Sequence, residues 1–336
     1  MRKFLSTLLL CLLPFSALGE TELVLSFVGD CALADQYKYR GSDTSFTTVA
    51  TASGLDYPFS GAYDLFSQDD LTLANCEGTF TLRRLKKGAK AMSLSAPPEF
   101  AEVFALGAVD AVNLSNNHSR DFGAAGLTDT KAALTDVGIA FFGGQDTLIL
   151  ERSGIKIGLC GQSYPLTDAK MRRFRQDIAE LRAAGCQLVI ASAHSGKEDC
   201  HTPNLEQRIC FPELLDMGAD IVYGHSAHVL HPIEVTEKGV ILYSLGNFVF
   251  GANPRPRDAD TAVIQLRMLV DDDGQVSLDG LRALPFLVHR NSDYRPHPLE
   301  SDSDRQRVFE KLVFPADDKR DSGLPASFLE TGEMNW

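Results

Sequence analysis

The chain has 336 residues, a formal net charge of −13 and 44% hydrophobic residues. So acidic a chain is not built to hold nucleic acid or an anionic surface by bulk electrostatics, which excludes nucleic acid as a partner. Length and apolar content suffice for one large α/β core, and no internal repeat or low-complexity linker divides it.

Residues 1–19, MRKFLSTLLLCLLPFSALG, start with Arg2 and Lys3, continue as an apolar run to about Leu18, and carry the small residues Ala17 and Gly19. This is the pattern of an export signal, so a periplasmic or extracellular location is expected, with the main domain over 20–315. The run is broken by Pro14 and Ser16 and falls short of the roughly 20 apolar residues of a membrane span. Membrane attachment is therefore expected only if the signal is retained as an anchor. Beyond Cys11, six cysteines remain, an even number that permits disulfides in an exported chain. Cys200 and Cys210, flanking a short polar segment, are the first candidate pair. Buried free thiols are the alternative, for Cys160 in particular.

Glu22 to Val28 reads as a short apolar strand that ends at Gly29-Asp30. Residues 37–68 read as a loop and helix over the sheet edge. Leu71 to Ala74 is the next strand, followed by Asn75-Cys76-Glu77-Gly78. Arg83, Arg84, Lys86, Lys87 and Lys90 form a basic cluster, either a solvated loop or a guide for an anionic substrate. Ala111 to Leu114 is strand-like, breaks into Ser115-Asn116-Asn117-His118, resumes as a helix closing on Gly138, and leads to a strand over Ala140 to Phe142.

Lys156 to Cys160 follows as a strand, then Met171 to Ala184 as a helix with Phe174, Ile178 and Leu181 on one face and Gly185 at its end. Leu188 to Ala193 is a buried strand delivering His194, with Glu198 just after. Asn204 to Met217 is helical in pattern but contains Pro212, which predicts a kink or two short helices. Ile221 to Tyr223 delivers His225 and His228, with His231 close behind. Strands are expected at Ile233 to Val235, Val240 to Leu245 and Thr261 to Val270, with Gly246-Asn247 as a turn. A short amphipathic helix is expected from about Leu299, and residues 316–336 as a poorly ordered tail.

The strand ends thus carry Asp30, then Asn75 and Glu77, then Asn117 and His118, then His194, then His225 and His228. Carboxyl ends of strands in one α/β sheet converge on a common crevice. Oxygen and imidazole donors drawn from separate strand ends suit one or two divalent metal ions, with manganese, iron or zinc compatible with the donor set.

GD at 29–30, ANCEG at 74–78, LSNNHSRDFGAAGLTDT at 114–130, AHSGKED at 193–199, and GADIVYGHSAHVLHPIEV with ILYSLGNFVF resemble the CapA family of bacterial capsule and poly-gamma-glutamate synthesis proteins. That family looks like a branch of the calcineurin-like metallophosphoesterases, and the resemblance runs from about Leu23 to about Arg267. It implies a four-layer α/β sandwich, two mixed β-sheets face to face with helices outside. It further implies Asp30 as the first carboxylate ligand, Asn117 as a carboxamide ligand, His118 as the proton donor to the leaving group, and His194, His225 and His228 as imidazole ligands. Two departures stand out: Ala32 occupies a position where the superfamily has a histidine, and Asn75 or Glu77 must stand in for a bridging aspartate. The resemblance implies an exported protein of capsule or poly-gamma-glutamate synthesis. One form is a metal-dependent hydrolase of phosphoesterase type acting on a cell-envelope or capsule polymer intermediate. The alternative is a non-catalytic subunit that binds the polymer or its synthesis complex.

Overall fold

Burial along the first strand sets the architecture. In β1 (Thr21–Ala32), Leu23, Leu25 and Phe27 face one apolar core while Val28 and Ala32 face another, as in a strand covered on both sides. The computed structural model describes residues 21–85, 92–271 and 273–336. The export signal with Cys11, and Lys86, Lys87 and Lys90 of the basic cluster, lie outside these residues. No helix among the described residues is long and apolar enough to cross a membrane.

Three strands lie parallel to β1 in succession: β2 (Leu71–Cys76), β3 (Ala111–Asn113) and β4 (Ala140–Phe142). The chain then crosses to a second, six-stranded sheet. Its strands are β5 (Leu148–Arg152), β6 (Ile155–Ser163), β7 (Leu188–His194), β8 (Ile221–His225), β9 (Ile233–Thr236) and β10 (Gly239–Leu242), in the order β9-β10-β8-β7-β6-β5. With β11 (Asn247–Phe250) the chain returns to pair parallel with β1. Two long strands, β12 (Asp260–Val270) and β13 (Val276–Leu287), extend the first sheet antiparallel, and β14 (Glu333–Met334) pairs with β13.

Leu25, Phe27, Leu71 and Leu73 of the first sheet meet Ile157, Leu159, Leu188 and Ile190 of the second in one core between the sheets. Helices α1 (Phe46–Ser53) and α2 (Gly123–Asp136) cover the outer face of the first sheet, through Phe46, Ala50 and Leu134. Helices α3 (Asp168–Ala183) and α4 (Leu205–Asp216) cover the second, through Phe174, Ile178, Leu181, Phe211 and Leu214. The result is a helix–sheet–sheet–helix sandwich, the four-layer α/β fold expected. Helix α5 (Asp302–Lys311) closes the edge with Val308 and Phe309 buried.

Four expectations are corrected. Helix α4 is not divided at Pro212: Asn204 and Gln207 form a capping box at its start. The carbonyl of Arg208, which proline leaves without its helical N–H, accepts from Arg320 Nη2 at 3.0 Å. Residues 316–336 are no loose tail, because Phe328 is fully buried, Glu333–Met334 joins the sheet, and the Arg282 guanidinium lies 4.4 Å from the Trp336 ring centroid. The Cys200–Cys210 bridge is not formed. All six described cysteines are free thiols, Cys210 facing the helix core and Cys200 donating to the Thr202 carbonyl at 3.5 Å. Finally, the strand read as Val240 to Leu245 stops at Leu242, and Asn247 opens a strand of the other sheet rather than a turn.

Candidate metal centre

The carboxyl ends of β1 and β2 in one sheet and of β7 and β8 in the other bring their polar residues to a common place. Register does much of this work: Asp30 pairs across to Asn75 on one side and Asn247 on the other, and His194 to His225. Asp30 N–H donates to the Gly246 carbonyl at 2.8 Å. A Cβ at position 29 would lie 2.3 Å from that same oxygen, so glycine is required for the strands to close there. The loop after β8 holds Ser226 at φ 86° and His228 at φ 59°, strained backbone of the kind concentrated at functional sites. Ser226 N–H pins it by donating to Asp30 Oδ2 at 3.2 Å.

At the centre is Glu77, 1% exposed, with neither carboxylate oxygen hydrogen-bonded. Its Oε1 lies 3.9 Å from Nε2 of His118, of His194 and of His228. His225 Nδ1 lies 3.2 Å from Asp30 Oδ1 without the alignment of a hydrogen bond, and both its ring nitrogens are unpartnered, as is His194 Nε2. Donor atoms of Asp30, Glu77 and His194 lie within 4.8 Å of one another. Buried carboxylate and imidazole atoms left without partners are costly unless a cation completes them, so this donor set fits a divalent metal ion.

The electrostatics agree. Burial pushes the Glu77 carboxyl up to about 8, with His228 pulling against it and Asp30 adding to it. Burial alone would raise Asp30 too, but the His225 and His228 rings against it hold it well below the usual carboxylate range. Burial brings His194 down to about 3, leaving a neutral imidazole with a lone pair to offer. His228 goes the other way: burial would lower it, but Glu77 and Asp30 raise it to about 10, so its imidazolium supplies the positive charge between the two carboxyls.

Asp30, Glu77, His118, His194, His225 and His228 are thus brought together, whereas Asn117 is exposed. The carboxamide of that loop facing inward is Asn116, whose Nδ2 donates to Asn75 Oδ1 at 3.1 Å and to the Cys76 carbonyl at 2.8 Å. Asn75 is fully engaged as well, donating to Asp30 Oδ1 at 2.8 Å and lying 3.2 Å from His194 Nδ1. Of Asn75 and Glu77, then, only Glu77 has oxygens to give. His231 is turned away, its Nε2 donating to the Cys200 carbonyl at 2.6 Å. Glu198 lines the approach, a cavity of about 120 Å³ shared with Glu77, His118, His228 and Asn247.

Sequence reasoning passed over Asn113, Asp121 and Asn247. Asp121 Oδ2 accepts from His118 Nδ1 at 2.7 Å, which orients that ring, and Asn247 Oδ1 accepts from His228 Nδ1 at 2.8 Å. An asparagine opening the apolar run Phe248-Val249-Phe250 was a legible signal for Asn247, the same signal that exposed Asp30.

Residues 24–252 match the family model described as bacterial capsule synthesis protein PGA_cap. The chain is 25% identical to capsule biosynthesis protein CapA of Bacillus anthracis, over 89% of this chain and 75% of that protein. It is 27% identical to PGA biosynthesis protein CapA of Bacillus subtilis, over 86% of this chain and 77% of that one. Among solved structures, the calcineurin-like phosphoesterase YfkN from Bacillus subtilis aligns at a TM-score of 0.48 and 15% identity, covering 87% of this chain and 98% of that one.

Proposed function

The chain belongs to the bacterial capsule synthesis protein PGA_cap family, and from that premise we propose that it is an exported, divalent-metal-dependent hydrolase of phosphoesterase type. Its substrate class would be a phosphate ester on a capsule or cell-envelope polymer intermediate, met alone or within the synthesis complex. The signal pattern in residues 1–19 supports export, and the names of the relatives support the pathway. The observation that carries the hydrolytic reading is the unpartnered Glu77 carboxylate, 3.9 Å from three imidazoles in a buried pocket.

Asp30, Glu77 and His194 would hold the ion, with His225 and His228 beside them. A bound divalent cation supplies a Lewis acid for a phosphoryl oxygen and an acidified water as nucleophile. The chain's own residues do the rest. His118 is held by Asp121 so that Nε2 faces the cavity, where it can give a proton to the departing oxygen. Asn247 keeps His228 turned with Nε2 toward Glu77. Glu77 and His118 are buried in the wall of the small cavity, where the low dielectric strengthens charge interactions.

The test is hydrolysis of a phosphomonoester and a phosphodiester by the manganese-loaded protein and by His118→Ala. Turnover in the native protein, falling roughly 10²- to 10⁴-fold in the variant while bound metal is unchanged, is the expected result. Turnover that persists in His118→Ala removes that residue from the role. No turnover on either ester, with metal bound, refutes the hydrolase and leaves the non-catalytic binding role.

A further inference from the structure

We propose that Tyr223 is a positioning residue of the metal centre: its hydroxyl holds the bulge of β1 that aims Asp30, and its ring fixes His225. The inference rests on the metal-dependent reading above and adds what aligns the two sheets at the site.

Strand β1 is interrupted on both sides just before Asp30. On one side its pairing with β12 ends with Phe27 opposite Ile264, and its pairing with β11 begins with Asp30 opposite Asn247. On the other, its register with β2 passes from Phe27 opposite Leu73 to Asp30 opposite Asn75, so that Val28 and Gly29 together face Ala74 alone. Such a bulge bends the strand and re-aims the side chain that follows it. Here that side chain is the Asp30 carboxylate.

Tyr223 reaches the bulge from the other sheet. It stands in β8, fully buried, two residues before His225 and on the same face. Among the described residues it is the one tyrosine buried in the core between the sheets. Its hydroxyl donates to the Val28 carbonyl, with the Leu73 carbonyl of β2 a second acceptor at 3.2 Å. Packing alone would be served by phenylalanine, and a buried hydroxyl is unfavourable unless bonded. This one bonds the bulge and lies against the strand that leads to Glu77.

The ring makes the second contact. Both His225 nitrogens are unpartnered, so no hydrogen bond sets the orientation of that imidazole. The Tyr223 ring meets it edge-on with centroids 4.1 Å apart, while His194 stacks on it at 6.1 Å. Phe27, just before the bulge, meets the Tyr223 ring edge-on at 5.1 Å. One side chain of the second sheet therefore touches both the bulge before Asp30 and the imidazole 3.2 Å from that carboxylate.

Tyr223→Phe keeps the ring and removes the donor. Tyr243→Phe, which takes the hydroxyl of another buried tyrosine from Glu234 and Arg320, is the control for stability alone. In the metal-free full chain, amide hydrogen exchange is followed at Asp30 and Ser226, whose N–H groups donate to the Gly246 carbonyl and the Asp30 carboxylate. Both should exchange roughly tenfold faster in Tyr223→Phe, relative to the interior amides of β7, and unchanged in Tyr243→Phe. Mn(II) affinity of the folded proteins, by calorimetry, should fall roughly 10- to 100-fold in Tyr223→Phe and hold in the control. Tyr223→Leu, which removes the ring as well, should bind more weakly still; affinity equal to that of Tyr223→Phe takes His225 out of the assignment. Equal effects of Tyr223→Phe and Tyr243→Phe overturn the inference, as do faster exchange with unchanged affinity and a Tyr223→Phe chain that does not fold. Native protein that binds no Mn(II) refutes the metal-dependent reading instead, and the exchange rates alone then decide whether Tyr223 holds Asp30.

Discussion

Replacing Glu77 by glutamine separates what this residue costs the fold from what it gives the site. Its carboxyl rises from an ordinary 4.5 to about 8 because it is buried. The folded metal-free protein therefore binds a proton that the unfolded chain has released. For an acid raised in this way, the stability is present below about pH 4.5 and is lost as pH climbs toward 8. At ~1.4 kcal/mol per unit, the loss between about pH 5 and pH 7 is on the order of 3 kcal/mol. Glutamine does not titrate and is free of this loss, though its unpartnered amide costs about 1–3 kcal/mol at every pH. Chemical denaturation of both metal-stripped proteins across that range should show native stability falling relative to Glu77→Gln as pH rises. Taking the difference cancels the titrations that the two proteins share, those of His194 and His231 among them. His228, which Glu77 helps to raise, does not cancel and adds to the fall in native stability with rising pH. Mn(II) at a hundredfold over its dissociation constant should then restore about 2.7 kcal/mol to the native protein and almost nothing to the variant. A difference that is flat in pH, or an equal gain from Mn(II), would refute the assignment of Glu77 as a buried carboxylate awaiting a cation.

Two further outcomes follow from named contacts. His194→Ala, which removes a donor of the ion-binding set, should weaken Mn(II) binding more than His225→Ala, which removes a neighbour of Asp30 and should cost roughly tenfold; calorimetric titration giving the reverse order would move the ion toward His225. Arg320→Ala leaves the Arg208 carbonyl without its donor and should destabilise the protein by about 1–3 kcal/mol in urea unfolding. Adding Pro212→Ala, which returns the helical N–H, should recover part of that loss, and strict additivity of the two substitutions would show that the carbonyl was not the issue.

Much of the site was legible because polar residues at the ends of apolar strands have no packing reason to be there. That signal picked out Asp30, Glu77, His194, His225 and His228 from segments scattered over some two hundred positions. The strands themselves were plain where both faces are buried, as at Leu188 to Ala193, and α3 was plain from the spacing of Phe174, Ile178 and Leu181. Strand β13 was not, since its burial is mixed and its pairing with β12 is what makes it a strand.

The alternation of apolar residues along each strand, the stop signals at Gly138 and Gly185, and the acid and imidazole content of the strand ends belong to the sequence, because they depend only on neighbours along the chain. Which of the adjacent carboxamides Asn116 and Asn117 turns inward, whether Asn75 or Glu77 has a free oxygen, whether Pro212 breaks its helix and whether the last residues pack were decided by partners far away in sequence. Asn75 meets Asn113 and Asn116 across a loop, and Pro212 is relieved by Arg320 more than a hundred residues later. A hydrogen bond is satisfied or left open only once every element that can reach it is in place, and that is information no local pattern carries.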